Sequence, residues 1–290
     1  MINKILFSIF SIFVVVLSLS ESLDLKSSEQ LDSALTRSLT TFAVARGLNG
    51  LVSVVQGTEV NISPAGVGAT FAPGQLLDPV NDMVERFSWV MLMSSVSIGV
   101  QEMMLHLGKT TLFKMLFALA TLLFLLQLWL PKAKLPWRVE TSLKVVVVLA
   151  VLRFSVPTLV MLNEAVYVYV LEPKYEQSLQ EVSKTSAEVK VMMKEVQNSN
   201  VDYSGKVKQS SEPWYKFESL NVQKKYENYK VKLQITVDRF IQKFNDAMDS
   251  IIDLITVFIV NSIIIPLSAL WLFVYGLGSF LRRDFRLEFD

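Results

Sequence analysis

Residues 111–152 read "TLFKMLFALATLLFLLQLWLPKAKLPWRVETSLKVVVVLAVL". Two apolar runs flank a short basic connection, and this decides the fold. The first run, Thr111–Pro131, is long enough to cross a bilayer, which takes about 20 apolar residues. The second starts at Val145 and continues to Leu171. The loop between them, residues 131–144, carries Lys132, Lys134, Arg138 and Lys144 against Glu140 alone. A short loop rich in Lys and Arg marks the cytoplasmic side. Trp129 and Trp137 flank it, as aromatic side chains do at the headgroup level.

A third run spans Ile251–Leu281, with Trp271 and Tyr275 near its end. The tail after it, residues 282–290, holds Arg282, Arg283 and Arg286. Two spans separate this tail from the 131–144 loop, so both lie on one side. At the other end, Lys4 precedes an apolar stretch from Ile5 to Leu19, and Ser18 and Ser20 have signal-peptidase spacing. Residues 1–20 fit a cleaved signal peptide and an uncleaved membrane anchor alike. Either way the next segment is exported. The stretch Glu21–Arg86 agrees, with four basic residues against eight acidic ones, Asp24 among them.

Composition supports the membrane reading. The chain is 51% hydrophobic and only 19% charged, against about 25% charged in an ordinary soluble domain. The net charge of +1 gives no reason to expect a nucleic-acid partner. The absence of cysteine excludes disulfide staples and thiolate-held metals.

Residues 21–110 are expected to form exported amphipathic helices around a Gly/Pro-rich connection. Leu31, Leu35, Leu39, Phe42, Ala45, Leu48, Val52 and Val55 recur at helical spacing. In the connection, Thr58–Ile62 and Val67–Phe71 are read as parts of an ordered loop, with a small hairpin as the alternative. The segment from Phe87 to Leu107 is apolar, but a crossing there would move the basic loop outside. It is therefore read as a helix on the outer leaflet or packed on its neighbours, capped by Asp78-Pro79 and ended by Gly108.

Residues 172–250 are read as an exported antiparallel helical hairpin, coiled-coil-like, rising about 35–55 Å at 1.5 Å per residue. One seam is Tyr175, Leu179, Val182, Ser186, Val189, Met193 and Val196. The other runs from Val222 to Met248 and includes Val237, Phe240 and Phe244. A polar turn with Gly205 and Pro213 lies between them. The expected fold is thus an all-α membrane protein. It has transmembrane helices in 111–171 and 251–281, an N-terminal signal peptide or anchor, an outer-leaflet helix and the exported hairpin.

The chemical candidates are few. "GKTT" at Gly108–Thr111 lacks the glycine that a phosphate loop needs four intervening residues before the Gly-Lys pair, since Met103 stands at that place, so no nucleotide is expected. Glu102 and His106 share a helix face and are read as an interfacial pair. With one histidine and no cysteine, no metal and no other cofactor is expected. Arg153 lies inside an apolar run, where a cation needs a partner such as Gln127 or Asn261, or a water-filled path. Pro157 removes the donor for the carbonyl of Arg153, and Pro266 lies five residues after Asn261, so two helix kinks are expected. Glu164 marks the outer end of its span.

No serine elbow, zincin motif or dinucleotide fingerprint is present in the sequence. The expected function is a non-enzymatic scaffold or assembly component of a bacterial inner membrane, acting through its exported helices. Its expected partners are the lipid bilayer and either further copies of itself or another membrane protein. The alternative is an oligomeric channel or transport accessory with Arg153, Asn261 and Glu164 along the path.

Overall fold

The computed structural model describes residues 2–56, 60–62, 69–71, 77–130, 139–201 and 219–283. Nearly all of them are helical. The order is α1 (Ile2–Leu19), α2 (Ser22–Gln56), β1 (Val60–Ile62), β2 (Ala69–Phe71), α3 (Asp78–Lys109), α4 (Thr111–Trp129) and α5 (Val139–Val166). A π-turn at Tyr167–Leu171 leads into α6 (Glu172–Val201). Then come α7 (Ser219–Asp246), α8 (Met248–Ile259), a π-turn at Val260–Ile264 and α9 (Ile265–Arg282). The helical stretches beginning at Ser22, Asp78, Thr111, Val139 and Met248 are long and apolar enough to cross a membrane. The basic residues from Lys132 to Arg138, the turn with Gly205 and Pro213, and Arg286 lie outside the described residues.

The short strands pair antiparallel with Asn61 opposite Thr70, where the sequence favoured a loop. β-Branched residues at Val60, Ile62 and Thr70 suit that pairing.

The chain divides into two units. The first holds Met1–Ser38, Met93–Glu172 and Phe258–Asp290. Here α4 packs against α1 and α5, and α9 packs against α5. Contacts fix the directions. Gln127 faces Ser142 and Phe117 meets Phe154 edge-on at 6.4 Å, so α4 runs antiparallel to α5. Arg37 reaches Glu164, and Asp24 reaches Arg153, so the start of α2 runs parallel to α5. Ser38 bonds Ser95 at 2.8 Å, while Gly108 lies against Arg153, which also holds Asp24, so the end of α3 runs antiparallel to α2. The end of α3 and the whole of α4 therefore descend together past α5, interrupted only at Thr110. That residue has extended ψ, and its hydroxyl accepts from Phe113 N, so it caps α4. The helix thus ends at Lys109, just past the Gly108 expected from sequence.

The two prolines act differently. Pro157 lies inside α5, whereas Pro266 follows the Val260–Ile264 π-turn. Without an N–H, Pro266 leaves the carbonyl of Ser262 without its helical donor. Ser97 Oγ donates to that oxygen at 2.6 Å, so a backbone defect becomes a tie between α3 and the last rod.

The second unit holds Leu39–Leu92 and Pro173–Val257. Ion pairs Lys174–Asp253 and Lys243–Glu188, each 2.8 Å, and Ser250 donating to Glu181 at 2.8 Å set α6 antiparallel to α7 and α8. Buried residues on α7–α8 step by three and four: Val237, Phe240, Phe244, Ala247, Ile251 and Leu254. On α6 the buried set is Tyr175, Ser178, Val182, Thr185 and Val189. Ser178 and Thr185 thus replace the expected Leu179 and Ser186, which are half-buried, and Ala247 replaces Met248. The hydroxyl side chains let the helices approach closely, and Tyr175 Oη lies 3.3 Å from Thr41 Oγ1.

A larger departure occurs on α2. Its buried stripe is Asp24, Ser27, Leu31, Ala34, Ser38, Thr41, Ala45, Leu48 and Val52. In the middle, the expected Leu35, Leu39 and Phe42 give way to Ala34, Ser38 and Thr41, and Leu39 is 48% exposed.

Candidate functional site

Residues flanking two helix breaks of the first unit, Ser18 and Asp24 around Ser20–Glu21 and Gly108 just before Thr110, gather at one side chain, Arg153 of α5. It is 1% exposed and the largest fully buried side chain described. Its partners are neither Gln127 nor Asn261, as the sequence suggested. Nη2 donates to Asp24 Oδ2 at 2.7 Å and to the carbonyl of Ser18 at 3.1 Å, and Nε donates to Ser18 Oγ at 3.3 Å. Lys114, in the first turns of α4, places Nζ 3.2 Å from the same Oδ2.

Local sequence explains the arrangement. The run Ser18-Leu19-Ser20-Glu21-Ser22 competes with helix by side-chain bonding, and the hydroxyls of Ser20 and Ser22 lie 2.9 Å apart. That break leaves the last carbonyls of α1 without intrahelical donors. Ser20 N satisfies Val16, and Arg153 satisfies Ser18. Asp24 sits in the first turn of α2, where the helix dipole favours a carboxylate. The far side of the guanidinium faces Gly108 of α3: a Cβ there would lie 3.9 Å from Nη1, an ordinary contact.

The cluster thus joins α1, α2, α4 and α5 through two cations and one carboxylate. The partial negative charge at the end of α1, about half an elementary charge, offsets part of the remainder. Asp24 Oδ1 and Arg153 Nη1 find no protein partner among the described residues. A buried pair of this kind contributes little net stability, yet removing one partner is costly because the other charge stays buried. Its chemistry is therefore that of a fastener in which one carboxylate ties two cations together.

The other candidates lie apart from it. Glu164 accepts from Arg37 at 3.0 Å, and the same guanidinium stacks 3.8 Å over the Tyr167 ring. Gln127 Oε1 accepts from Ser142 at 2.6 Å. Asn261 is buried within its π-turn, and its Oδ1 meets no donor among the described residues. His106 Nε2 stands 3.9 Å from Glu102 Oε1, beyond hydrogen-bond range, with His106 largely exposed. No group of three or more metal-ligating side chains occurs among the described residues.

Sequence reasoning missed Asp24, Ser18 and Lys114. Asp24 was counted with the acidic exported stretch. The usable signal was its place in a seven-residue rhythm with Leu31, Ser38 and Ala45, which marks a buried position.

The described side chains that the first unit exposes are mostly apolar, with His106 of α3 and a group on α2 among the polar ones. α1, the end of α3, α4, α5 and α9 present large apolar side chains outward, such as Phe13, Met103, Leu112, Leu162 and Trp271. On α2, however, Lys26, Glu29, Asp32, Ser33 and Thr36 are exposed.

Comparison with protein-family models, with curated proteins and with solved structures finds no match.

Proposed function

We propose that this chain is a non-enzymatic, multi-pass protein of a bacterial inner membrane that acts as a scaffold or assembly component. In this reading α1 is a retained membrane anchor, because signal cleavage after Ser20 would strip Arg153 of both Ser18 contacts. The chain crosses four times: α1 with the start of α2, the end of α3 with α4, α5, and α9. Counting α3 and α4 as one interrupted crossing keeps Lys4, the basic 131–144 loop and the arginine-rich tail together in the cytoplasm. That agrees with the charge bias of the loops. The hairpin of α6 and α7 is then periplasmic, and its alternating lysines and glutamates face water.

The observation that carries the scaffold reading is the polar strip on α2. Glu29, Asp32, Ser33 and Thr36 are exposed in a unit whose other helices expose apolar side chains. Charges at such a place need a polar partner or water. The proposal assigns the strip to another copy or to a second membrane protein.

A channel or transport-accessory reading would use the same strip as the wall of an aqueous path. Arg153 does not favour it, since this side chain is enclosed and neutralised within its own chain. A single cysteine at Ser33, with no native cysteine in the background, separates the readings. In native membranes it crosslinks to a copy or to a partner under the scaffold reading. Free reaction with a charged, water-soluble thiol reagent and no crosslink favours the aqueous path. A product that is always monomeric and unreactive sinks both.

A further inference from the structure

The first unit contains a long apolar cavity that neither the fastener nor the polar strip uses. Its volume is about 470 Å³, within the range of small-molecule sites. Phe7 and Phe10 of α1 form one wall and Phe273 and Phe280 of α9 form the other. α5 makes the floor from Leu143 to Thr158, which is about 22 Å at 1.5 Å per residue. That length exceeds one leaflet's share of a hydrocarbon core of about 30 Å. No charged side chain lines the cavity, and of its hydroxyls Thr121 is already bonded to the carbonyl of Phe117. Such a slot takes a flexible hydrocarbon chain and offers a polar ligand no charge, only the hydroxyls of Ser11, Ser155 and Thr158.

Its ends differ in charge. At the Leu143–Phe280 end, the next residues along the chain are basic. Lys144 follows Leu143, Arg282 and Arg283 follow shortly after Phe280, and Lys4 precedes Phe7 by three positions. Glu140 neutralises Lys144 at 2.7 Å, while both arginines are exposed. The opposite end has Arg153 nearby, and Asp24 already holds it. A molecule with an apolar chain and one anionic head therefore fits in a single direction, with its phosphate toward Arg282 and Arg283. Guanidinium groups suit phosphate by forked hydrogen bonding.

We propose that this groove is a binding site for an anionic glycerophospholipid, which inserts one acyl chain between α1 and α9. The proposal rests on the membrane reading of the first unit, and it holds for either orientation.

The test uses the full-length protein, purified in mild detergent and stripped of lipid. Equimolar phosphatidylglycerol and phosphatidylethanolamine with identical acyl chains are then added, and retained lipid is read by native mass spectrometry. One lipid per chain is expected, with phosphatidylglycerol favoured between about fivefold and about thirtyfold, the factors that one and two basic residues near an anionic lipid supply. Arg282→Gln with Arg283→Gln should bring the preference close to parity while a lipid is still retained. Ala150→Phe fills the floor and should abolish retention; Ser11→Phe does the same from α1 and decides the matter if Ala150→Phe misfolds. Equal retention of both lipids by the wild type would overturn the proposal. So would undiminished phosphatidylglycerol binding in a folded groove-filling variant, or crosslinks showing that a second copy's helix fills the slot. A protein that retains no lipid yet still needs detergent refutes the groove alone. A protein that stays monodisperse without detergent refutes the membrane reading beneath it.

Discussion

The two units differ chiefly in what they leave exposed, since both bury a mixture of large apolar and hydroxyl-bearing side chains. In the second, α7 and α8 enclose Val237, Phe240, Phe244, Ile251 and Leu254, while neighbouring lysines and glutamates pair at the surface. In the first, α1 buries Ser11 and Ser18 and exposes Leu6, Ile9, Phe10 and Phe13. The end of α3 buries Ser94, Ser95 and Gln101 and exposes Val96, Val100, Met103 and Leu107. Water drives large apolar side chains inward. Lipid exerts no such pull, so helices meet through small and hydroxyl-bearing residues and leave Leu and Phe outside. The contrast is the one expected if the first unit faces lipid and the second faces water, as proposed above.

The largest expected effect falls on the fastener in the first unit. Asp24→Asn keeps the shape and leaves Arg153 and Lys114 without a counter-charge. A loss of about 3–5 kcal/mol is expected, the usual result of unpairing a buried ion. Thermal unfolding in lipid nanodiscs reads it, and adding Arg153→Gln should restore much of the loss. If Asp24→Asn costs no more than Asp32→Asn at the exposed strip, the cluster does not hold the helices together.

An intermediate effect sharpens the contrast between small and large residues. Ala34 is buried in the Leu31–Ile98–Leu105 cluster, while Leu39, one and a half turns on, is exposed. Ala34→Leu should overpack the seam and cost about 1–3 kcal/mol. Leu39→Ala should stay within about 0.5 kcal/mol. The same unfolding assay checks both. The reverse ranking would restore the ordinary water-facing pattern on α2.

The smallest effect belongs to the second unit. Lys243, 2.8 Å away, holds the Glu188 carboxyl below its ordinary value of 4.5. Glu188 in turn raises Lys243 above its ordinary 10.5. A depressed carboxylate stabilises above its unfolded value and loses that contribution as pH falls through the folded one. A raised lysine stabilises below its unfolded value and loses it at high pH. The pair should therefore contribute between about pH 4.5 and 10.5 and fade on either side. Because both side chains are solvated, the difference between wild type and Glu188→Gln should be slight and vanish in high salt. A large difference, or one confined to pH below 4, would contradict an exposed pair.

Much of this was legible in the sequence. The apolar runs at Thr111, Val145 and Ile251 fall within α4, α5 and α8–α9. On α7–α8, Val237, Phe240 and Phe244 are buried as their spacing implied. Reading Leu35, Leu39 and Phe42 as the centre of the inner face of α2 assumed that the largest apolar side chains mark it, whereas the buried stripe runs one residue earlier, through Ala34, Ser38 and Thr41, with Leu35 packed at its side. Counting Asp24 toward an acidic exterior treated charge as a tally, whereas its partner Arg153 lies 129 residues away. Periodicity cannot reveal a pairing at that distance. The exposed strip on α2 was likewise invisible, because its significance depends on what neighbouring helices expose.

The central proposal is that the exposed apolar faces of the first unit lie in lipid, with α6 in water across the membrane from the basic loop. Single cysteines at Leu119, Lys184 and Ala133, treated with a membrane-impermeant maleimide in intact spheroplasts, test it most directly. Lys184→Cys should label at once, Ala133→Cys only after the membrane is permeabilised, and Leu119→Cys only after it is dissolved. Labelling of Ala133→Cys with protection of Lys184→Cys would reverse the orientation. Ready labelling of Leu119→Cys in the intact membrane would show that water, and not lipid, covers the face from which the whole contrast was drawn.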